Sequence, residues 1–217
     1  MDKGKVRFIQ INHGVTLSLV ANVGTLVIPT AKKAAIKLFW SKGYQAATLD
    51  LLCDRMQIGR SSFYATFKDK KSLFIDCIDT YLDGINKDHL RISKNGISVE
   101  DIREAYLINF VHTQNPRAHM GCMLVNIAVE LADVDDELVK ILRDKLEVMD
   151  TWRIEWFVQM GCQQPLAKRL GHYLSVFTEG LQMSSRRKIP RAQLQEVIHT
   201  GFDFLAAEVH TADKSHA

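Results

Sequence analysis

The chain reads as an all-α protein, with a small N-terminal three-helix helix-turn-helix domain joined by a long helix to a larger helical domain. Three observations predict this. From Thr30 onward apolar residues recur at intervals of three and four in block after block, and strand-like alternation is nearly absent. Helix-start residues stand where those blocks begin: Thr48, Asp69 and Ser98 offer side-chain oxygens, and Pro165 and Pro190 sit where a first turn tolerates proline. Charge is also partitioned. The 217 residues carry a net charge of only +3, yet residues 30–72 hold nine basic and three acidic side chains, whereas residues 73–217 hold sixteen basic and twenty-one acidic ones. Two regions of opposite sign imply two kinds of partner, and the basic one is the candidate nucleic-acid module.

The elements follow in order. Residues 30–42 put Ala31, Ala35, Leu38 and Phe39 on one helical face, and Gly43 ends that helix. Thr48 caps a second helix to about Met56, Gln57-Ile58-Gly59 make a short turn, and a third helix runs from Arg60 to about Thr66. Asp69 caps a long fourth helix with Leu73, Phe74, Cys77, Ile78, Tyr81, Leu82 and Ile85 as one stripe. After a loop at 93–98, Ser98 and Asp101 suggest a capping box for a fifth helix to about Thr113. Further helices are expected at 121–132, 135–160, 165–187 and 190–209. The acidic run Asp133, Asp135, Asp136 and Glu137 reads as the charge complement of a helix N-terminus. The expected organisation is an N-terminal arm at 1–28, a helix-turn-helix domain at 29–72, a sensing and dimerisation domain at 73–210 and a tail at 211–217. β-Branched alternation occurs only at 6–28, without a partner strand.

Several function classes are excluded. Cys53, Cys77, Cys122 and Cys162 lie far apart with no C-x-x-C pair, which argues against zinc and against a secreted disulfide framework. His112 and His119 lack tight ligand spacing, so no metal or other cofactor is expected. No run of about eighteen apolar residues exists for a membrane span. Lys3, Lys5 and Arg7 ahead of residues 15–28 faintly imitate a signal peptide, but Asn22, Gly24 and Thr25 interrupt the apolar stretch and no small-residue cleavage site follows. A cytoplasmic location is expected. No Ser-His-Asp order, H-E-x-x-H, P-loop or paired-carboxylate constellation stands out, so an enzyme is not expected.

The wording of the basic region is specific: Ala35-x-x-Leu38-Phe39, then Lys42-Gly43-Tyr44-x-x-x-Thr48, then Ile58-Gly59-Arg60-Ser61-Ser62-Phe63-Tyr64-x-x-Phe67-x-x-Lys70-x-x-Leu73-Phe74. This pattern closely resembles the N-terminal domain of the TetR/AcrR family of transcriptional regulators, over about a fifth to a quarter of the chain. It departs from the family at Gln57, where glycine is usual and a left-handed backbone would strain a side chain, at Leu51, where a polar residue is usual, and at Cys53, which keeps the small volume of the usual alanine.

Leu38, Phe39, Leu52, Phe63 and Phe67 fall on facing stripes and are read as core. Arg60, Ser61, Ser62, Ala65 and Thr66 are then left to meet base edges in the major groove. Tyr64 resembles the family's phosphate-contacting tyrosine. Thr48 and Lys70, each at a helix start, suit backbone phosphate.

The resemblance implies a homodimeric, ligand-responsive repressor on a palindromic operator in double-stranded DNA, paired through its last two long helices. The stripes Leu166, Leu170, Tyr173, Leu174, Phe177, Leu181 and Leu194, Val197, Ile198, Phe202, Leu205 are compatible with that interface and equally with intramolecular core. An unidentified effector would sit among Tyr106, Phe110, His112, Cys122, Met123, Met149, Trp152, Trp156 and Phe177. Met120-Gly121-Cys122-Met123-Leu124-Val125-Asn126 looks like a Gly-Cys-x-x-x-Asn stretch of one branch of the family, some members of which sense electrophiles. For Cys122 the alternatives are a thiol whose pKa is lowered at a helix start, with Arg117 and His119 near in sequence, or a small buried packing residue, and the second is preferred. A same-fold activator and a cysteine-based redox sensor stand as alternative functions.

Overall fold

The computed structural model describes residues 17–93, 97–113 and 118–214. Its helices are α1 (Leu17–Lys42), α2 (Leu49–Met56), α3 (Arg60–Phe67), α4 (Lys70–Ser93), α5 (Val99–Phe110), α6 (Met123–Leu131), α7 (Asp136–Gln159), α8 (Gln164–Arg186) and α9 (Arg191–Lys214), with a 3-10 turn at Ala118–Met120. No described helix is long and apolar enough to cross a membrane.

The helix starts follow from short-range chemistry. Thr48 Oγ1 accepts the Leu51 amide at 3.3 Å. Asp69 accepts the Ser72 amide at 2.7 Å and Asp135 the Leu138 amide at 2.9 Å. Ser98 and Asp101 exchange hydrogen bonds at 2.8 and 3.2 Å in a full capping box. Each satisfies an amide that the first helical turn leaves without a partner.

Two boundaries differ from expectation. α1 starts at Leu17 rather than Thr30, and Pro29 lies inside it. Proline fixes φ near the helical value, but inside a helix it removes one hydrogen bond and crowds the carbonyl four residues back, so α1 continues through Pro29 at a cost of about 3 kcal/mol. The expected arm at 1–28 is therefore helical from Leu17, and the rest of it lies outside the described residues. α9 likewise continues past the expected end at Val209 to Lys214, into the segment expected as a tail at 211–217.

The buried side chains form two cores. Phe39, Leu52, Phe63, Phe74 and Ile78 from the first four helices pack with Met123, Leu124 and Ile127 of α6 and Leu138 and Leu142 of α7. Ile102 of α5, Phe157 of α7, Leu170 and Leu174 of α8, and Ile198 and Phe202 of α9 make the second. The N-terminal three helices thus share a core with α6 and α7 and have no separate one.

The second core corrects the expected dimer surface. Leu170, Leu174, Leu181, Leu194, Ile198 and Phe202 are each 3% exposed or less within one chain. The stripes face inward because α5 packs on α9 and α7 on α8. A side chain already buried against its own chain has no surface left for a second copy. What α8 and α9 present outward is Val176 at 71% exposure, Met183 at 47%, Val197 at 42% and Phe204 at 46%, with Tyr173 and Phe177 half-buried beside them.

Candidate nucleic-acid interface and its neighbouring cavity

α2 and α3 lie across a turn closed by two backbone bonds, Gln57 N–H to the Asp54 carbonyl at 3.2 Å and Ile58 N–H to the Cys53 carbonyl at 3.1 Å. The pattern puts Gln57 at the left-handed position, with φ 57° and ψ 41°. A side chain is strained there, and Gln57 Nε2 donates to the Asp54 carbonyl at 2.6 Å. Replacing Gln57 with glycine is expected to raise stability by about 0.5–1 kcal/mol, read as a higher denaturant midpoint at constant slope. A lower midpoint would mean that the side-chain hydrogen bond outweighs the strain.

The turn aims α3. Phe63 and Phe67 are buried beneath it together with Leu52, Cys53 and Met56, whereas Arg60, Ser61, Ser62, Tyr64, Ala65 and Thr66 are all exposed. Tyr64, at 54% exposure, meets the edge of Phe63 with its ring, the centroids 5.7 Å apart. Gly59 supplies no side-chain cap, so the first-turn amides of α3 stay open to an external acceptor. Arg60 Nε donates to Asp50 Oδ1 at 2.9 Å, and this pairing holds the guanidinium pKa above its ordinary value. The pair is solvent-exposed, so water and salt screen it and Arg60 can exchange Asp50 for a base or phosphate.

Thr48 is exposed at the start of α2. Lys70, at the start of α4, is half-buried: its Nζ donates to the Gln45 carbonyl at 3.3 Å and lies 4.4 Å from the centre of the Tyr44 ring. Burial pushes its ammonium pKa down. Asp50, Tyr44 and Gln45 thus join a cluster in which only the charged and aromatic helix-start residues were expected. Tyr44 stood in the quoted motif, but nothing in the motif says that its ring and its neighbour's carbonyl hold Lys70.

Behind this surface lies a cavity of about 310 Å³ lined by α1, α4, α5, α7 and α8. The expected residues Tyr106, Phe110, Met149, Trp152 and Trp156 line it, joined by Trp40, Tyr81 and His89, which sequence reasoning did not single out. All three tryptophans of the chain are in that wall. His89 stacks on Trp156 with centroids 4.8 Å apart and 18° between the rings, and burial pushes its pKa down. Trp156 Nε1 donates to Ser93 Oγ at 2.9 Å, and Tyr106 and Thr178 share a hydroxyl hydrogen bond. Arg153 donates to Asp150 at 3.1 Å and to Ser175 at 3.2 Å. Trp40 Nε1 donates to the Gly121 carbonyl at 3.0 Å, so one cavity wall belongs to the helix that leads into α2.

Four expected lining residues, His112, Cys122, Met123 and Phe177, lie elsewhere. Met123 is fully buried in the first core, and Phe177 lies on the α8–α9 surface, beside a hollow of about 250 Å³ with Leu181, Leu194 and Val197. Cys122 caps α6 and is 3% exposed, with Tyr81 Oη 3.9 Å from its sulfur. Of the two readings of Cys122 the structure agrees with the preferred one, a small buried packing residue: burial outweighs the helix-start amides and pushes its thiol pKa up. His119 and His112 are exposed, and Arg117 lies outside the described residues. Burial also pushes the Cys77 thiol up, to about 12.

Residues 33–77 match the family described as bacterial regulatory proteins, tetR family. An uncharacterized HTH-type transcriptional regulator, YezE of Bacillus subtilis, is 30% identical over 107 residues, covering 49% of this chain and 55% of that protein. IcaR of Staphylococcus aureus, the HTH-type negative transcriptional regulator of the biofilm operon icaADBC, is 30% identical over 121 residues, 49% of this chain and 62% of its own. Each match thus spans little more than half of the relative's length. A cysteine-substituted TetR family regulator, CifR, in complex with 26-bp double-strand operator DNA superposes with a TM-score of 0.67 at 21% identity, covering 81% of this chain and 94% of that one.

Proposed function

We propose that this chain, whose residues 33–77 match the tetR family of bacterial regulatory proteins, is a cytoplasmic homodimeric repressor of that family that binds a palindromic operator and releases it when a small aromatic effector fills the cavity. Regulators of this family are DNA-binding proteins and not enzymes. The observation that carries the reading is the division of α3, whose apolar side is buried while Arg60, Ser61, Ser62, Tyr64, Ala65 and Thr66 make a short-chained, exposed side over uncapped amides. Such a helix can approach base edges closely, and Tyr64, Thr48 and Lys70 are assigned in this reading to the flanking phosphates. The name of IcaR supports negative regulation, and the CifR complex supports operator DNA as the partner.

Selection from a random duplex pool tests the DNA reading. The full chain is expected to enrich an inverted repeat, with half-sites about one helical turn apart. On that duplex Lys70→Ala should weaken specific and random DNA alike and make the salt slope shallower by about one unit. An unchanged slope would remove Lys70 from the interface, and failure to enrich any repeat would sink the operator.

The cavity supports an uncharged planar aromatic effector. Rings of Trp40, Tyr81, His89, Tyr106, Phe110, Trp152 and Trp156 dominate its lining beside Asp88, Asn109 and Gln182, and the Arg153 guanidinium is held by Asp150 and Ser175 and so is not left for an ionic ligand. Since every tryptophan lines it, intrinsic fluorescence reports occupancy. 2-Naphthol is expected to quench that emission and weaken operator binding, and an aliphatic alcohol of equal volume to do neither. Trp156→Leu should weaken naphthol binding roughly three- to tenfold, the worth of one ring contact. Equal responses to both alcohols would contradict the aromatic reading. By linkage the effector must bind less tightly to the operator complex. Reversible occupancy is preferred over thiol modification, because Cys122 is sealed from solvent and holds its proton.

A further inference from the structure

Glu130, near the end of α6, plays no part in the reading above. Its carboxylate accepts two backbone hydrogen bonds from the turn between α1 and α2, Tyr44 N–H to Oε2 at 2.9 Å and Gln45 N–H to Oε1 at 2.7 Å. The turn is shaped to receive it. Gly43 has φ +85°, and a Cβ there would fall 2.2 Å from Oε2, so no side chain fits at 43 while the carboxylate is in place. The residues so gripped are the ones that hold Lys70, whose ammonium binds the Gln45 carbonyl and covers the Tyr44 ring. Thr48, the cap of α2, follows three residues later.

We infer that Glu130 is a positioning residue for DNA binding: by clamping the Tyr44 and Gln45 amides from the larger domain, it sets Lys70 and the start of α2 against the phosphate backbone. The inference rests on the DNA-binding reading. Its chemistry calls for an ionised carboxylate of glutamate length. Two convergent N–H donors need two acceptor oxygens, and charge strengthens both bonds. A glutamine would turn an NH2 donor toward one of the amides, and an aspartate is one methylene short of the turn. Electrostatics alone predicts the opposite outcome. A negative charge beside DNA repels phosphate, so neutralising it without any positioning role would tighten binding.

The sign of the effect is therefore the test. Full-length wild type, Glu130→Gln, Glu130→Asp, Lys70→Ala and the Glu130→Gln/Lys70→Ala double variant are titrated with the duplex that the wild type selects, across a range of salt, well below their melting temperatures. Glu130→Gln is expected to bind about tenfold more weakly and to lose about one unit of salt slope, as Lys70→Ala does, and the two losses should not add, because both remove one phosphate contact. Glu130→Asp should follow Glu130→Gln, and it carries the test if the glutamine variant melts early. A merely structural role would lower the melting temperature and leave the slope alone. Unchanged or tighter binding by Glu130→Gln, or full additivity with Lys70→Ala, overturns the inference while the DNA-binding reading stands. A wild type that selects no duplex overturns both.

Discussion

Gly171→Val is expected to destabilise the chain by roughly 3 kcal/mol or more, lowering the melting temperature by about 6–12 °C for a protein of this size. α8 crosses α7 at this glycine so closely that an added Cβ would fall 2.5 Å from Ile154 Cγ1, 2.9 Å from its Cα and 3.0 Å from its amide nitrogen. A side-chain tip could turn aside; a helix backbone cannot. Relief requires the helices to separate, and separation opens the second core along Phe157, Leu170 and Leu174, which are at most 1% exposed. Alanine at 171 meets the same atoms, but its better helix propensity returns about 1 kcal/mol, so it should fall between wild type and valine. Thermal melts followed by circular dichroism decide it, and a valine variant melting within a degree or two of wild type would show that α7 and α8 pack less tightly than described. Gly201 provides the contrast. The three atoms nearest its Cβ would all belong to the Phe177 ring, the first at 2.6 Å, and that half-buried ring can swing outward, so Gly201→Ala should cost much less.

Placing glutamate at Val176 and Phe204 together is expected to produce a folded monomer that binds the selected operator about a thousandfold more weakly. These side chains are 71% and 46% exposed in the single chain, so charging them removes little internal packing beyond the contact of Phe204 with the Tyr173 ring, centroids 5.0 Å apart. In a pair of copies joined through α8 and α9 they would be buried and repel across the two-fold axis. A lone reading head keeps one half-site, and losing the second forfeits most of the gap between specific and non-specific binding. Sedimentation reports the oligomeric state and fluorescence anisotropy the affinity. Full operator affinity in a demonstrated monomer, or a variant that stays dimeric, would remove this surface from the assembly. Phe202→Glu is the control with the opposite signature. Phe202 is fully buried, its ring edge-on to Tyr106 with centroids 5.0 Å apart, so a charge there should unfold the chain instead of dividing a dimer.

The contrast between Phe202 and Phe204 marks where reading the sequence stops. Periodicity along α9 identifies Leu194, Ile198 and Phe202 as one stripe, and they are one stripe. It does not say whether the stripe meets α5 of the same chain or α9 of another, because both offer an apolar partner and the local pattern is identical. At Cys122 the sequence leaves two readings open for a related reason, and the preferred one, a buried packing residue, agrees with the structure. A cysteine at a helix start suggests a lowered pKa, and the helix start is there, but the desolvation that reverses the shift comes from neighbours distant in sequence, Tyr81 among them.

What the sequence by itself determined is whatever depends on near neighbours. The helical class, the caps at Thr48, Asp69 and Ser98, the left-handed turn at Gln57 and the buried and exposed sides of α3 all follow from residues within a turn or two of each other. The tertiary structure alone decided which apolar faces are spent on the chain's own core, that Trp40 closes a cavity built by four other helices, and that Glu130 reaches back 85 and 86 residues to grip the turn beside Lys70. These depend on how helices lie across one another, and that arrangement is set by the sum of many small packing contacts over the whole chain, so no local signal carries it.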